Sequence, residues 1–139
     1  MPIGRMEDSP SNRILDQRLR NRLMEELLSL SEGDQAVREH GAAEYFESFY
    51  DYVRHRGGEA QQNSAFSDDE RLHLLHVSAA LDDACDATAQ NVTVEELIAS
   101  GWPERIKPLA QAALDVMLKR GRFSEETEED APSLTGCWP

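Results

Sequence analysis

The chain has 139 residues with 27 acidic against 14 basic side chains, and its formal net charge is −13. This length predicts one domain, large enough to bury a hydrophobic core without disulfides or metals. Such an acidic chain has no basic stripe to displace counterions from phosphate backbones, so we expect no nucleic-acid partner. No apolar run approaches the roughly 20 residues that a bilayer span needs, so we also expect no membrane segment.

The two ends of the chain are polar. Residues 1–10 show no hydrophobic periodicity and contain glycine and proline, which predicts a flexible N-terminal arm. They also lack the apolar stretch of a secretory signal, and Cys85 and Cys137 are too few and too far apart for a disulfide framework. We therefore expect a cytoplasmic protein. The general character of the sequence is similar to that of small bacterial proteins. Residues 122–139 carry the run SEETEED and predict an acidic, disordered tail.

Hydrophobic spacing between these ends, over residues 11–121, predicts a single all-α domain, a small bundle of four to five helices. The helices are expected at about 12–31, 35–56, 68–90, 94–100, and 103–120 or 108–120. The start of the last helix stays open because Pro103 and Pro108 both suit the first turn of a helix. Gly41 lies inside the second helix and either breaks it or allows close packing.

Two capping boxes mark helix starts, Ser67 with Glu70 and Thr93 with Glu96. The helix that follows the first box is apolar on two sides. One side carries Leu74, Val77, Leu81 and Cys85, and the other carries Leu72, Leu75 and Ala79. A helix that is apolar on two sides is typical of the centre of a bundle, so we expect this helix to be central.

The first helix carries a local basic cluster of Arg13, Arg18, Arg20 and Arg22. Acidic residues are interspersed with these arginines, which favours a solvent-exposed helix face. A phosphate-binding role for the cluster is the alternative.

Asp82, Asp83 and Asp86 form the pattern Asp-Asp-x-x-Asp within the central helix. Residues three and four apart are neighbours on a helix, so both Asp82 and Asp83 approach Asp86. Carboxylate oxygens are the ligands that magnesium favours, which makes these aspartates candidate metal ligands. We expect Asp82 and Asp86 at the rim of a cleft and Asp83 toward water. The same charges should keep the thiol of Cys85 protonated, which disfavours a catalytic thiolate.

A second acidic pair, Glu44 and Glu47, lies on the preceding helix. Together with Asp83 and Asp86 it resembles the paired acidic motifs of the all-α nucleotide pyrophosphatases. The resemblance implies a small helical bundle that holds magnesium between the two motifs and cleaves nucleoside triphosphates. On a straight helix Glu44 and Glu47 point away from the apolar side, so an exposed acidic surface is the other interpretation of this pair.

Five of the nine aromatic side chains fall within eight residues, at Tyr45, Phe46, Phe49, Tyr50 and Tyr52. At about 100° per residue they cover a wider arc of a helix than a core stripe needs. Most of them are expected in the core. Tyr45 and Tyr52 form a flank that predicts a partner-binding surface, because tyrosine is enriched at protein interfaces.

No recognisable set of catalytic residues emerges, so the catalytic residues are unknown. Our leading hypothesis is a non-enzymatic cytoplasmic interaction protein that binds a protein partner or a second copy of itself and needs no cofactor. The alternative is a magnesium-dependent all-α hydrolase that acts on nucleotides through Asp82, Asp83 and Asp86.

Overall fold

The structure is a computed structural model that describes residues 9–53 and 62–134. These residues form six helices, with one isolated antiparallel bridge between Arg122 and Leu134. The helices are α1 (Asn12–Leu30), α2 (Asp34–His40), α3 (Ala42–Tyr50), α4 (Asp68–Ala87), α5 (Val94–Ser100) and α6 (Trp102–Arg120). The predicted all-α fold is confirmed. Residues 1–8 of the predicted arm and residues 135–139 of the predicted tail lie outside the described residues.

Local capping sets several helix starts. The side chain of Ser11 accepts a hydrogen bond from the amide of Ile14 and begins α1. Both predicted capping boxes are present, with Ser67 at the start of α4 and Thr93 at the start of α5. α6 begins at Trp102 and continues through Pro108, so the earlier of its two predicted starts is close to the observed one.

Gly41 divides the single helix predicted over 35–56 into α2 and α3. Its φ of +89° and ψ of 162° are not helical, and glycine adopts this backbone conformation most readily. The amide of Gly41 donates to the carbonyl of Val37 and ends α2, while its carbonyl accepts from the amide of Tyr45 and begins α3. α3 ends at Tyr50, well before the predicted end, and residues 54–56 lie outside the described residues.

The centre of the core is α6, which packs most extensively against α4 and α1. α4 turns Leu74, Val77 and Leu81 into the core, as predicted. Its second apolar side is only partly covered by the described residues, since Leu75 is half-buried but Leu72 is 50% exposed and Ala79 is also exposed. The expectation that α4 is central is therefore wrong, because α6 fills that position.

Arg20 corrects the prediction of a solvent-exposed basic face on α1. Its side chain is fully buried, and its Nη2 atom lies 2.8 Å from Oε2 of Glu70 on α4. Arg120, the last residue of α6, lies 2.7 Å from the other carboxylate oxygen of Glu70. Arg20 also donates to the carbonyls of Met117 and Gly121. The buried cluster of Arg20, Glu70 and Arg120 thus joins α1, α4 and α6.

Residues 122–134 differ from the predicted disordered tail, because they lie along α1. Phe123 is fully buried, and Asn21 of α1 binds both the amide and the carbonyl of this residue. Arg13 and Gln17 donate to further main-chain carbonyls of the segment. Arg13, which the sequence placed on a solvent-exposed face, and the amide side chains of Gln17 and Asn21 therefore hold this segment. No helix in the described ranges has the length and apolar character that crossing a membrane requires.

Candidate functional site

A groove of about 520 Å³ lies between α3, the C-terminal end of α4 and the loop that follows α4. Phe46 and Tyr50 of α3 and Val92 of the loop supply much of its apolar lining, with Cys85 from α4. Glu47 stands on the α3 side of the groove. Small side chains on both sides, among them alanines of α3, leave the space open. The groove has the mixed apolar and polar lining typical of binding sites.

Tyr50 and Asp82 join the two helices beside the groove. The hydroxyl of Tyr50 donates to Oδ1 of Asp82 across 2.7 Å, and Asp82 is 3% exposed. Burial raises the pKa of Tyr50, and the hydrogen bond to Asp82 raises it further. The phenol therefore stays protonated and remains a donor to the carboxylate.

Cys85 lies one turn beyond Asp82, and its Sγ atom is 3.9 Å from the hydroxyl oxygen of Tyr50. Burial raises the pKa of the Cys85 thiol, and the charges of Asp82 and Asp86 raise it as well, which outweighs the opposing hydrogen bond with Tyr50. A protonated thiol is a weak nucleophile. The sequence anticipated this effect of the aspartates but not that burial would be the larger cause.

The structure does not bring the three candidate metal ligands together. Asp82 is buried against Tyr50, whereas Asp83 and Asp86 are exposed. Over residues 9–53 and 62–134, no group of three or more His, Cys, Asp or Glu side chains is placed to hold a metal ion. Glu44 and Glu47 are exposed, as expected for a straight helix. The predicted magnesium site gains no support from this geometry.

The predicted aromatic flank is corrected as well. Tyr45 is 3% exposed and packs edge-to-face on Phe46 at 5.4 Å between ring centroids. Tyr52 is half-buried and lies against the core. Tyr45 thus offers no surface for a partner. The tyrosine at the groove is Tyr50, which the sequence had placed with the core aromatics. The sequence did contain one indication of this contact. Asp82 lies between the core residues Leu81 and Ala84, and a buried aspartate requires a hydrogen-bond donor.

The charged side chain that lines the groove is an acidic one. Glu47 lines it, and the charge of Asp86 reaches Cys85 within it. No lysine or arginine occurs among the lining residues in the part of the chain that the structure describes. The net charge of −13 for the whole chain adds to this local field.

Comparisons of the chain with known protein families, with curated proteins and with solved structures find no match.

Proposed function

We propose that this chain is a non-enzymatic interaction protein that binds a basic, amphipathic segment of a protein partner in the groove between α3 and α4. The observation that carries the proposal is the combination of an apolar lining with an acidic edge and no basic lining residue among the described ones. A helix with an apolar anchor and flanking lysines or arginines would match both properties.

The apolar part of the groove would supply the binding free energy. Phe46, Tyr50 and Val92 offer aromatic and aliphatic contact area, and a volume of about 520 Å³ accommodates one or two large side chains of a partner. Burial of apolar surface contributes about 25 cal/mol per Å² before the costs of association are subtracted.

The charges would supply selectivity and orientation. Glu47 stands at the edge of the groove, where rim charges act mainly on the rate of association and on the choice of partner. An acidic partner would be repelled by the same field. The negative charge also argues against nucleotides as ligands, since their phosphates carry the same sign.

The chemistry of the groove supports binding rather than catalysis. The thiol of Cys85 is held protonated, and the carboxylate of Asp82 accepts a hydrogen bond from Tyr50. A protonated thiol is a weak nucleophile, and the carboxylate of Asp82 is buried and engaged with Tyr50.

Fluorescence anisotropy tests the proposal with a short labelled helical peptide of leucine and lysine, and with a matched peptide of leucine and glutamate. Ala43→Trp fills the groove and Glu47→Lys reverses its edge charge. We expect the lysine peptide to bind the parent chain, and each variant to weaken binding by about tenfold or more, which is ~1.4 kcal/mol. The glutamate peptide should not bind.

Asp115→Lys is the matched control, because it makes the same change in net charge at an exposed position of α6 that does not line the groove. If Glu47→Lys and Asp115→Lys lose the same amount of affinity for the lysine peptide, the binding reflects general charge attraction and the proposal is contradicted. Light scattering completes the test, since a dimer of the parent chain that Ala43→Trp dissociates would assign the groove to a second copy instead.

A further inference from the structure

One side of α1 carries a ladder of polar side chains that bind the main chain of residues 122–134. Arg13, Gln17 and Asn21 are spaced four residues apart and share one side of α1; we call these three residues the α1 ladder. Asn21 donates from Nδ2 to the carbonyl of Phe123 over 2.9 Å and accepts at Oδ1 from the amide of Phe123 over 3.2 Å. Its side-chain amide thus pairs with one residue in both directions, as a neighbouring strand would.

Gln17 makes the same kind of contact farther along the segment. Its Nε2 donates to the carbonyls of Ser124 and Thr127, each over 2.9 Å, and its Oε1 accepts from the amide of Glu129 over 2.8 Å. Arg13 donates from Nη2 to the carbonyl of Glu129 over 2.6 Å. Side-chain amides that both donate and accept match the peptide bond, whereas a phosphate group offers only acceptors.

Two further features define which peptide fits. Phe123 is fully buried beneath the guanidinium groups of Arg13, Arg20 and Arg120, at 5.1, 5.2 and 5.7 Å from the ring centroid. Such contacts between cations and an aromatic face favour an aromatic residue at this position. Downstream of Phe123, the carboxylate of Glu125 lies 2.9 Å from Arg22. The ladder therefore suits an extended peptide with an aromatic anchor followed by acidic residues.

Beyond its anchor, the segment is held by polar contacts with α1 and adds no buried side chain. None of residues 124–134 is buried, and their side chains lie largely in solvent. Main-chain pairing within the segment is limited, in the described residues, to the bridge between Arg122 and Leu134. Exposed stretches with few apolar contacts open at a lower free energy than the whole domain.

We propose that the α1 ladder is a binding site for an extended acidic peptide with an aromatic anchor, and that residues 122–134 occupy it as an internal, displaceable ligand. A partner that presents this chemistry competes with the segment for the same donors. Intramolecular attachment keeps the local concentration of the segment high, so the site is autoinhibited in the free chain.

A labelled synthetic peptide with the sequence of residues 121–134, GRFSEETEEDAPSL, is the probe. It is titrated into the parent chain and into two full-length variants that loosen the internal segment. Phe123→Ala removes the anchor, and Glu125→Lys replaces an ion pair with repulsion against Arg22. We expect each variant to bind the probe at least about tenfold more tightly than the parent chain does. A probe with alanine in place of phenylalanine should bind none of them.

Gln17→Ala added to Glu125→Lys is the matched control, and it should abolish the gain. Glu125→Lys carries the test if Phe123→Ala does not fold, because Glu125 is partly exposed and leaves no cavity. If a folded Glu125→Lys chain binds the probe no more tightly than the parent chain does, the segment is a fixed part of the fold. This result would overturn the proposal. If inorganic polyphosphate displaces the probe as readily as unlabelled peptide does, the site binds anions in general. This result would overturn the proposal that it binds a peptide. Ala43→Trp should leave probe binding unchanged, so the result is independent of the groove between α3 and α4.

Discussion

Arg20 and Glu70 form an ion pair in which both side chains are fully buried, with 2.8 Å between Nη2 and Oε2. Glu70 also accepts a hydrogen bond from the amide of Ser67 and so completes the capping box of α4. The carboxylate of Glu70 therefore both caps α4 and balances the buried charge of Arg20.

Glu70→Gln should destabilise the fold by about 3–5 kcal/mol, the usual cost of breaking a buried ion pair, because it leaves the guanidinium of Arg20 without its counter-charge. Glutamine keeps the shape of the side chain and can still serve in a capping box. Urea unfolding followed by circular dichroism measures the change. Asp69→Asn, an exposed neighbour in the same turn, should lie within about 0.5 kcal/mol of the parent. A loss for Glu70→Gln as small as that of the control would refute the role given to this pair.

Stability should fall in acid through Glu70. Burial would raise its pKa, but the hydrogen bonds from Arg120 and Arg20, the charge of Arg20 and the amide of Ser67 together hold the pKa below its usual value. The unfolded chain then binds the proton at a higher pH than the folded chain does. The stabilisation is complete above the pKa of an unfolded glutamate and is lost as pH drops from that value toward the folded pKa.

Unfolding free energies measured at a series of pH values below neutrality test this effect. Glu70→Gln should show a shallower dependence on pH than the parent chain. Glu125, whose pKa is also lowered, contributes to the dependence that remains in the variant. Parallel curves for the two proteins would show that Glu70 does not titrate differently in the folded state.

Tyr50→Phe should cost about 1–2 kcal/mol, because it removes the hydroxyl that donates to the buried carboxylate of Asp82. Tyr52→Phe is the matched control on a second half-buried tyrosine next to the core. We expect its effect on the unfolding free energy to be small. Similar losses in both variants would show that the contact between Tyr50 and Asp82 adds little.

Gly41→Ala should destabilise the chain by about 1–3 kcal/mol, because its φ of +89° with ψ of 162° lies in a region that essentially only glycine adopts. Apart from its two chain neighbours, no atom of the described residues lies within 4 Å of a Cβ added at this position, so the cost arises from the backbone. Gly101→Asn tests the explanation, since Gly101 is left-handed and asparagine tolerates that conformation. Thermal unfolding should show a clearly larger loss for Gly41→Ala.

Millimolar magnesium should not raise the melting temperature of the chain. Asp82 accepts a hydrogen bond from Tyr50, and Asp83 and Asp86 are exposed and do not form a ligand group with it. A cation bound to the folded state would raise that temperature in proportion to its affinity. A clear rise that Asp83→Asn removes would restore the magnesium-dependent hydrolase as the better hypothesis.

What could be predicted from the sequence depends on how far apart the interacting residues are. The starts of α4 and α5 follow from capping boxes, in which Ser67 or Thr93 meets a glutamate three residues later. Such signals lie within one turn and can be recognised without knowledge of the fold. The burial of Arg20 depends on Glu70, 50 residues away, and no local pattern on α1 separates it from its exposed neighbours.

The candidate site shows the same difference between local patterns, which the sequence reveals, and long-range contacts, which it does not. Asp82 was singled out by the local pattern that it forms with Asp83 and Asp86, but its partner Tyr50 lies 32 residues earlier. The run SEETEED has the composition of a disordered segment, and only the ladder on α1 explains why residues 122–134 are placed along that helix. Propensity and composition describe a segment alone and cannot account for a binding surface that another helix supplies.

Glu70 lies 50 residues after Arg20 and 50 residues before Arg120, so its two ion pairs close two large loops in opposite directions along the chain. Contacts of such long range require the entropy of loop closure to be overcome first. The cluster is therefore expected to assemble after the local helices have formed and α1, α4 and α6 have met. Interactions that form late in folding mainly slow the unfolding reaction. Glu70 is then a determinant of how long the folded chain persists, more than of how fast it forms.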